Sequence, residues 1–200
     1  MAVVSFVNTK GGVGKTCSTM FLAAAAHYAG HKVTIIDSDP QGTASSWFHD
    51  AQENPETRLD NCELVIANQG TMQRAAQRDG LVFIDTPPGN YSTVDSAIEV
   101  ADFVVIPTLP STIDMERVWK TRAAIPDGKP AAVLLTAVNA QTVLYREVRE
   151  ALESYEVAVF PQYIPHRDFF RQMRGQWPAN DARQMLGYEH VLDQILEVMK

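Results

Sequence analysis

Residues 10–16, Lys10-Gly11-Gly12-Val13-Gly14-Lys15-Thr16, gather glycines, lysines and a hydroxyl between an apolar run at 2–7 and a helix-like run at 17–29. A glycine-rich loop joining a strand to a helix N-terminus turns its backbone N–H groups inward, and the helix end adds partial positive charge. Such a loop cradles phosphate. Lys15 is spaced to reach β- and γ-phosphates, and the Thr16 hydroxyl to ligate Mg²⁺. The common spacing of such loops, G-x-x-x-x-G-K-[ST], calls for glycine at position 9. Thr9 stands there instead, and a second lysine, Lys10, opens the loop.

Two further clusters carry acid chemistry. Asp37-Ser38-Asp39-Pro40-Gln41-Gly42 follows an apolar run at 33–36. Two carboxylates just past a strand end can share the outer shell of an ion or orient a water, as phosphoryl transfer requires. The segment 81–89, Leu-Val-Phe-Ile-Asp-Thr-Pro-Pro-Gly, is an apolar strand ending in Asp85. That carboxylate is placed to hold a metal-bound water or the Thr16 hydroxyl. The Pro-Pro-Gly turn after it suits a sensor of the terminal phosphate.

The loop at 10–16 resembles the deviant Walker A motif, K-G-G-x-G-K-[ST], of the ParA/MinD family of P-loop ATPases. The 37–42 segment is similar to that family's D-x-D-P-Q-G switch, and 85–88 to its D-x-P-P. The resemblance implies ATP and Mg²⁺ as cofactors, with Gly11, Gly12, Val13, Gly14, Lys15, Thr16 and Cys17 on the phosphates. It implies that Thr16, Asp37, Asp39 and Asp85 serve the metal, with Asp39 also positioning the hydrolytic water. By the same resemblance Lys10 reaches the nucleotide of a second subunit, so Lys10, Lys15 and Asp39 form the catalytic set of an ATP-bridged homodimer. The implied activity is slow ATP hydrolysis stimulated by a ParB-like partner. Non-specific DNA would be bound in the ATP state to segregate plasmid or chromosome DNA. The short length before the loop resembles a plasmid-type ParA without operator recognition.

Weaker matches follow. Pro110, Ser111 and Asp114 resemble the family's P-S-x-x-D helix start, and Ser111 with Asp114 also reads as a near capping box. Thr136 stands near the position where many relatives carry an asparagine on adenine, and Pro165 falls in the loop beside the base. Cys17 replaces the usual second threonine, and a thiol at a helix N-terminus can be acidified. On a helix over 166–174, Arg167, Arg171 and Arg174 share one face and form the candidate DNA patch, with Lys120 and Arg122 as a second option. Binding through such a patch releases counterions and weakens steeply with salt.

The elements that must position these groups are legible in the periodicity. Apolar runs at 33–36, 64–67, 81–84, 103–107, 132–138 and 157–160 read as strands buried on both faces. Helical patterns lie between them at 16–29, 42–49, 70–79, 94–100, 113–124 and 143–154, and 50–61 reads as a polar loop. This alternation predicts one P-loop domain over 1–200, an α/β fold with a doubly wound, mostly parallel sheet and helices on both faces. Its ligands would lie at the carboxyl ends of the strands. The pattern at 182–199 predicts a single helix with an apolar stripe for the core. Its Asp193 and Glu197 disfavour an anionic membrane surface, as a MinD-like anchor would need.

The formal net charge of −7 argues against a generally basic nucleic-acid coat while leaving room for a local patch. Two well-separated cysteines, Cys17 and Cys62, read as reduced thiols of a cytoplasmic protein, and the ParA resemblance implies that it associates with the nucleoid when ATP-bound. They also argue against iron–sulfur relatives, which use paired cysteines. A metabolic ligase or amidotransferase on the same P-loop architecture is the rival reading. Lys10 and the D-x-D-P-Q-G segment weigh against it.

Overall fold

The computed structural model describes residues 1–155 and 157–200, with Arg171 described in its backbone only. The strands are β1 (Ala2–Phe6), β2 (Val33–Asp37), β3 (Cys62–Ile66), β4 (Leu81–Asp85), β5 (Phe103–Thr108) and β6 (Ala131–Leu135). The helices are α1 (Lys15–Tyr28), α2 (Thr43–Glu53), α3 (Met72–Ala76), α4 (Tyr91–Val100), α5 (Thr112–Ala124) and α6 (Val143–Ser154). They continue with α7 (Phe169–Gln172), α8 (Ala182–Met185) and α9 (Tyr188–Val198). The strands form one parallel sheet in the order β3-β2-β4-β1-β5-β6.

Side-chain alternation divides the core between the two faces. Val4, Phe6, Ile35, Phe83, Val105 and Leu134 point to the face covered by α1, α2 and α9. On the opposite face Val104, Ile106, Val133 and Leu135 pack with α4, α5 and α6, while Val3, Ile36, Val82 and Ile84 pack with α3 and residues of α4. Each fully buried side chain of this size contributes roughly 1.5–3 kcal/mol through its removal from water. Burial on both faces is why the strands read as continuous apolar runs.

The chain winds from β1 outward to β2 and β3, returns to β4 beside β1, and then crosses to β5 and β6. Strand order therefore reverses around β1. A crevice opens above the carboxyl ends there, and the loops after β1, β2 and β4 line it. The register brings Asp37 opposite Asp85, and Phe6 opposite Asp85 on the other side. The two acidic motifs are thus fixed side by side by the sheet itself.

Several expected elements are shorter or divided. The pattern at 157–160 makes only an isolated parallel bridge, Val133 with Val159, because the chain turns along the edge of β6 without completing a ladder. The strand expected over 132–138 ends at Leu135, since Ala137 is left-handed at φ 49°. Helix α2 runs on to Glu53, into the stretch expected to be loop. The single C-terminal helix is two, α8 and α9. Leu186 at φ 51° and Gly187 at φ 98° interrupt the helical backbone between them. The apolar stripe itself is used as expected: Tyr188, Val191, Leu192 and Ile195 are buried, and α9 packs on α1. No described helix is long and apolar enough to cross a membrane.

Candidate active site

The loop after β1 reaches α1 through two left-handed glycines, Gly12 at φ 76° and Gly14 at φ 90°. Side chains rarely adopt such angles, which is why glycine is required at these two points. Gly14 caps α1 without any side-chain hydrogen bond, and the first turn holds no acid. By contrast Asn90, Ser111 and Thr142 cap α4, α5 and α6 with their own side chains. The first N–H groups of α1 are therefore left for an anion.

The loop is braced from beneath. Asn8 donates through Nδ2 to the Pro107 carbonyl at 2.9 Å, and its Oδ1 accepts from the Lys10 amide at 2.9 Å. Lys15 is buried and donates to the Lys10 carbonyl at 2.9 Å, which curls its ammonium under the loop. Burial lowers the Lys15 pKa, opposed by the nearby Asp85 and Asp39 carboxylates. Thr136, expected near the base, shares its hydroxyl between the Val13 carbonyl at 2.9 Å and the Thr108 carbonyl at 3.1 Å. Its one proton is committed to holding the loop, so it buttresses the cradle.

Asp85 is fully buried. Its Oδ2 accepts from the Thr16 hydroxyl at 2.7 Å, while its Oδ1 is buried without a partner. An orphaned carboxylate oxygen beside a loop hydroxyl fits Mg²⁺ or its bound water. Thr16 and Asp85 would hold the ion, which supplies neutralisation of phosphate charge.

Asp37 is committed differently from expectation. Its Oδ1 accepts from the Asp39 amide at 3.1 Å, and its Oδ2 from the Ser45 amide at 2.8 Å and hydroxyl at 2.6 Å. It straps the loop and the start of α2, so both of its oxygens are engaged within the protein and it could support a metal only through neighbouring charge. Asp39 accepts from the Gln41 amide at 2.9 Å and lines the phosphate cavity together with Thr43, Thr86 and Pro88. That cavity, about 360 Å³, continues through Gly12, Gly14 and Cys17 into a second of about 350 Å³ containing Thr136, Pro165, Phe170 and Tyr188. The first would suit phosphates, and the second, more enclosed and more apolar, would suit a base.

Lys10 points away from this cradle. Its Nζ lies 2.6 Å from Oδ1 of buried Asp114, which also accepts from the Ser111 hydroxyl. Ser111 is the N-cap of α5 as well, accepting from the Asp114 amide at 3.2 Å. Cys17 is not acidified: burial raises its pKa to about 12, against a lowering hydrogen bond from Tyr188.

The arginine face is not a single helical face. Only Phe169–Gln172 is helical there, Arg167 lines the base cavity and donates to the His166 carbonyl at 3.0 Å, and the Arg171 side chain lies outside the described residues. Arg174 is exposed, and neither Arg167 nor Arg174 is ion-paired among the described residues. Ser45, Thr43, Phe170 and Tyr188 had no local signature. Tyr188 reaches the site only because α9 packs on α1, where its hydroxyl bonds Ser18 at 3.0 Å.

Burial raises the Asp85 pKa to about 7; the Thr16 bond lowers it, and the adjacent Asp37 raises it again. Between the unfolded value of 3.8 and about 7 the folded state holds more protons, so this group costs stability as pH rises through that window. In urea titrations of the nucleotide-free protein, Asp85→Asn is expected to gain on the wild type by on the order of 2–4 kcal/mol between pH 4 and pH 8. Parallel stability curves would show instead that Asp85 ionises freely.

A helix start left open for phosphate, with a buried carboxylate already gripping the loop hydroxyl, is the construction of P-loop nucleotide hydrolases. Sequence similarity narrows the class: the chain belongs to the CobQ/CobB/MinD/ParA nucleotide binding domain family, which it matches over residues 4–177. As a member it is an ATPase of the ParA/MinD type. It is 35% identical, over 91% of its length and 88% of the relative's, to maintenance of carboxysome distribution protein A of Gloeobacter kilaueensis. In fold it is similar to an ATP complex of McdA from Cyanothece, with a TM-score of 0.78 and 16% identity over 98% of this chain and 96% of that one. Cobyrinic acid a,c-diamide synthase of Mycobacterium smegmatis, solved with an ATP analogue and magnesium, gives a TM-score of 0.77 at 21% identity, covering 100% and 96%. The fold alone therefore does not separate cargo positioning from metabolic chemistry.

Proposed function

We propose that this chain is one P-loop domain, 1–200, of a positioning ATPase that dimerises around ATP and Mg²⁺ and binds non-specific DNA in that state. The observation that carries the reading is Lys10. Lys15 already serves the cradle from within, whereas the Lys10 side chain is 37% exposed and its ammonium rests on buried Asp114. A second lysine held outside its own phosphate cavity suits the nucleotide of a facing subunit. Release from Asp114 would accompany dimer closure.

In the closed state the residues act as follows. The α1 amides and Lys15 bind the phosphates, Thr16 and Asp85 hold the metal, and Asp39 orients water at the terminal phosphate. Lys10 of each subunit neutralises charge across the interface, as an arginine finger does elsewhere. A ParB-like or other partner protein would accelerate hydrolysis and return the subunits to a form with weak DNA affinity. The cargo is a plasmid, a chromosome region or a large protein assembly. The 35% identity to a protein named for carboxysome distribution supports the last of these. Such a cycle runs in the cytoplasm, on the nucleoid while ATP is bound.

Sizing and DNA retention in ATP and in ADP test the reading together. A dimer that holds duplex DNA in ATP alone, with binding lost steeply on raising salt, is the expected result. Changing Arg171 and Arg174 together to Ala should weaken that binding by about 30-fold, since each arginine–phosphate interaction removed costs on the order of 1 kcal/mol. Arg167→Ala should act on nucleotide affinity as well. Turnover that requires a small carboxylate substrate and ignores DNA would favour the metabolic branch instead.

A further inference from the structure

The segment that carries Arg174 is fastened at both ends to elements that line the two cavities of the candidate site. At one end Phe170 lines the base cavity and packs on Phe21, ring centroids 5.2 Å apart. At the other, Trp47 of α2 donates its indole N–H to the Gln176 carbonyl at 2.7 Å. Phe48, next on α2, meets Trp177 edge-on at 6.1 Å. Gly175 is left-handed at φ 79°, and a Cβ there would approach Asp50 to 3.1 Å. Trp47 also stands edge-on to Phe21 at 6.3 Å, so both fastenings lean on one ring of α1.

Helix α2 is no ordinary surface helix. It begins at Thr43, directly after the loop bearing Asp39, and Ser45 in its first turn is tied to Asp37. The Asp39 loop runs through Gly42 straight into α2, so a displacement of that loop pulls α2 about its anchor on Asp37 at the end of β2, and a rigid helix carries the movement to Trp47. Packed elements of this kind shift as units.

We propose that Trp47 is a positioning residue, and that its hydrogen bond to Gln176 couples the loop at 37–43 to the arginine-bearing segment at 169–178. Occupancy of the phosphate cavity then sets where Arg174 stands. By reciprocity, a polyanion on Arg174 biases the loop that holds Asp39. The polyanion half rests on the DNA reading above; the link between α2 and the segment does not.

Trp47→Phe keeps an aromatic ring against Phe21 and removes only the donor. Hydrogen exchange of residues 169–178 is measured with and without the non-hydrolysable analogue AMPPNP, alongside ATPase rates with and without duplex DNA. The wild type is expected to slow exchange in this segment several-fold on binding AMPPNP, and the variant to lose that response. Its KM for ATP and unstimulated kcat should stay within about twofold, while stimulation by DNA falls towards none. Gly175→Ala, which forces the same segment off Asp50 from the other side, should decouple in the same way if the strut is real. A wild-type response retained in both variants overturns the proposal, as does a wild type that binds AMPPNP without change at 169–178. A wild type that shows the exchange response but holds no DNA supports the strut and removes the DNA reading.

Discussion

Lys15→Ala is expected to lose ATP affinity by on the order of 100-fold or more in titration calorimetry, with the fold intact. The Lys15 ammonium is buried beneath the loop, 2.9 Å from the Lys10 carbonyl, and faces the Asp85 and Asp39 carboxylates. Removing one partner of a buried, hydrogen-bonded charge pair costs about 2–5 kcal/mol, and a polyphosphate is the partner here. The empty protein should tolerate the change. Burial lowers the pKa of Lys15, so its charge is held at a cost in the nucleotide-free state, and deleting it removes that cost. A thermal midpoint within a few degrees of wild type, together with lost binding, is the expected pair of results. Affinity retained within about threefold would remove Lys15 from the phosphate site.

Asp39→Ala is expected to split binding from chemistry. Asp39 lines the phosphate cavity beside Thr43 and Thr86, while Asp85 is held by Thr16, and Asp37 by Ser45 and the Asp39 amide. Of the three carboxylates, Asp39 is the one whose described hydrogen bonds leave it able to face a water at the terminal phosphate. Loss of a group that orients the attacking water lowers kcat by about 10²–10³. KM and ATP-dependent dimerisation should persist. Because Asp39 also accepts from the Gln41 amide, the alanine variant loosens a turn as well as removing a charge. Asp39→Asn keeps that acceptor. If both variants hydrolyse ATP normally, the water-orienting role of Asp39 is wrong; if Asp39→Asn alone is active, the acceptor oxygen matters and the negative charge does not.

The phosphate cradle, the Thr16–Asp85 pair and the doubly wound sheet were legible in the sequence because each depends on local chemistry. Glycine is the residue that tolerates φ near 90° at position 14, and two-faced burial writes strands as unbroken apolar runs. Legibility failed where a residue's part depends on what packs against it. Thr136 reads as a weak base contact, yet it buttresses Val13, a partner 123 positions away. Asp37 and Asp39 look alike two residues apart, and bonds from Ser45 and from the Asp39 amide turn the first into a strap. The arginines at 167, 171 and 174 share a face only on a helix that the chain does not complete, since α7 spans Phe169–Gln172.

The sequence by itself determined the class of chemistry: a glycine-rich loop, a loop threonine and strand-end carboxylates at the spacing phosphate and Mg²⁺ demand. Short-range geometry dictates those choices, so residue type and spacing record them. Tertiary structure alone decided how the parts are distributed. It put Lys10 on Asp114 rather than in its own cradle, brought Tyr188 and Phe170 to the base cavity, and bound α2 to the segment carrying Arg174. The hydrogen bonds from Trp47 to Gln176 and between Ser18 and Tyr188 span 129 and 170 positions of chain. Residues so far apart meet only because the sheet order and the packing of α1, α2 and α9 bring their elements together.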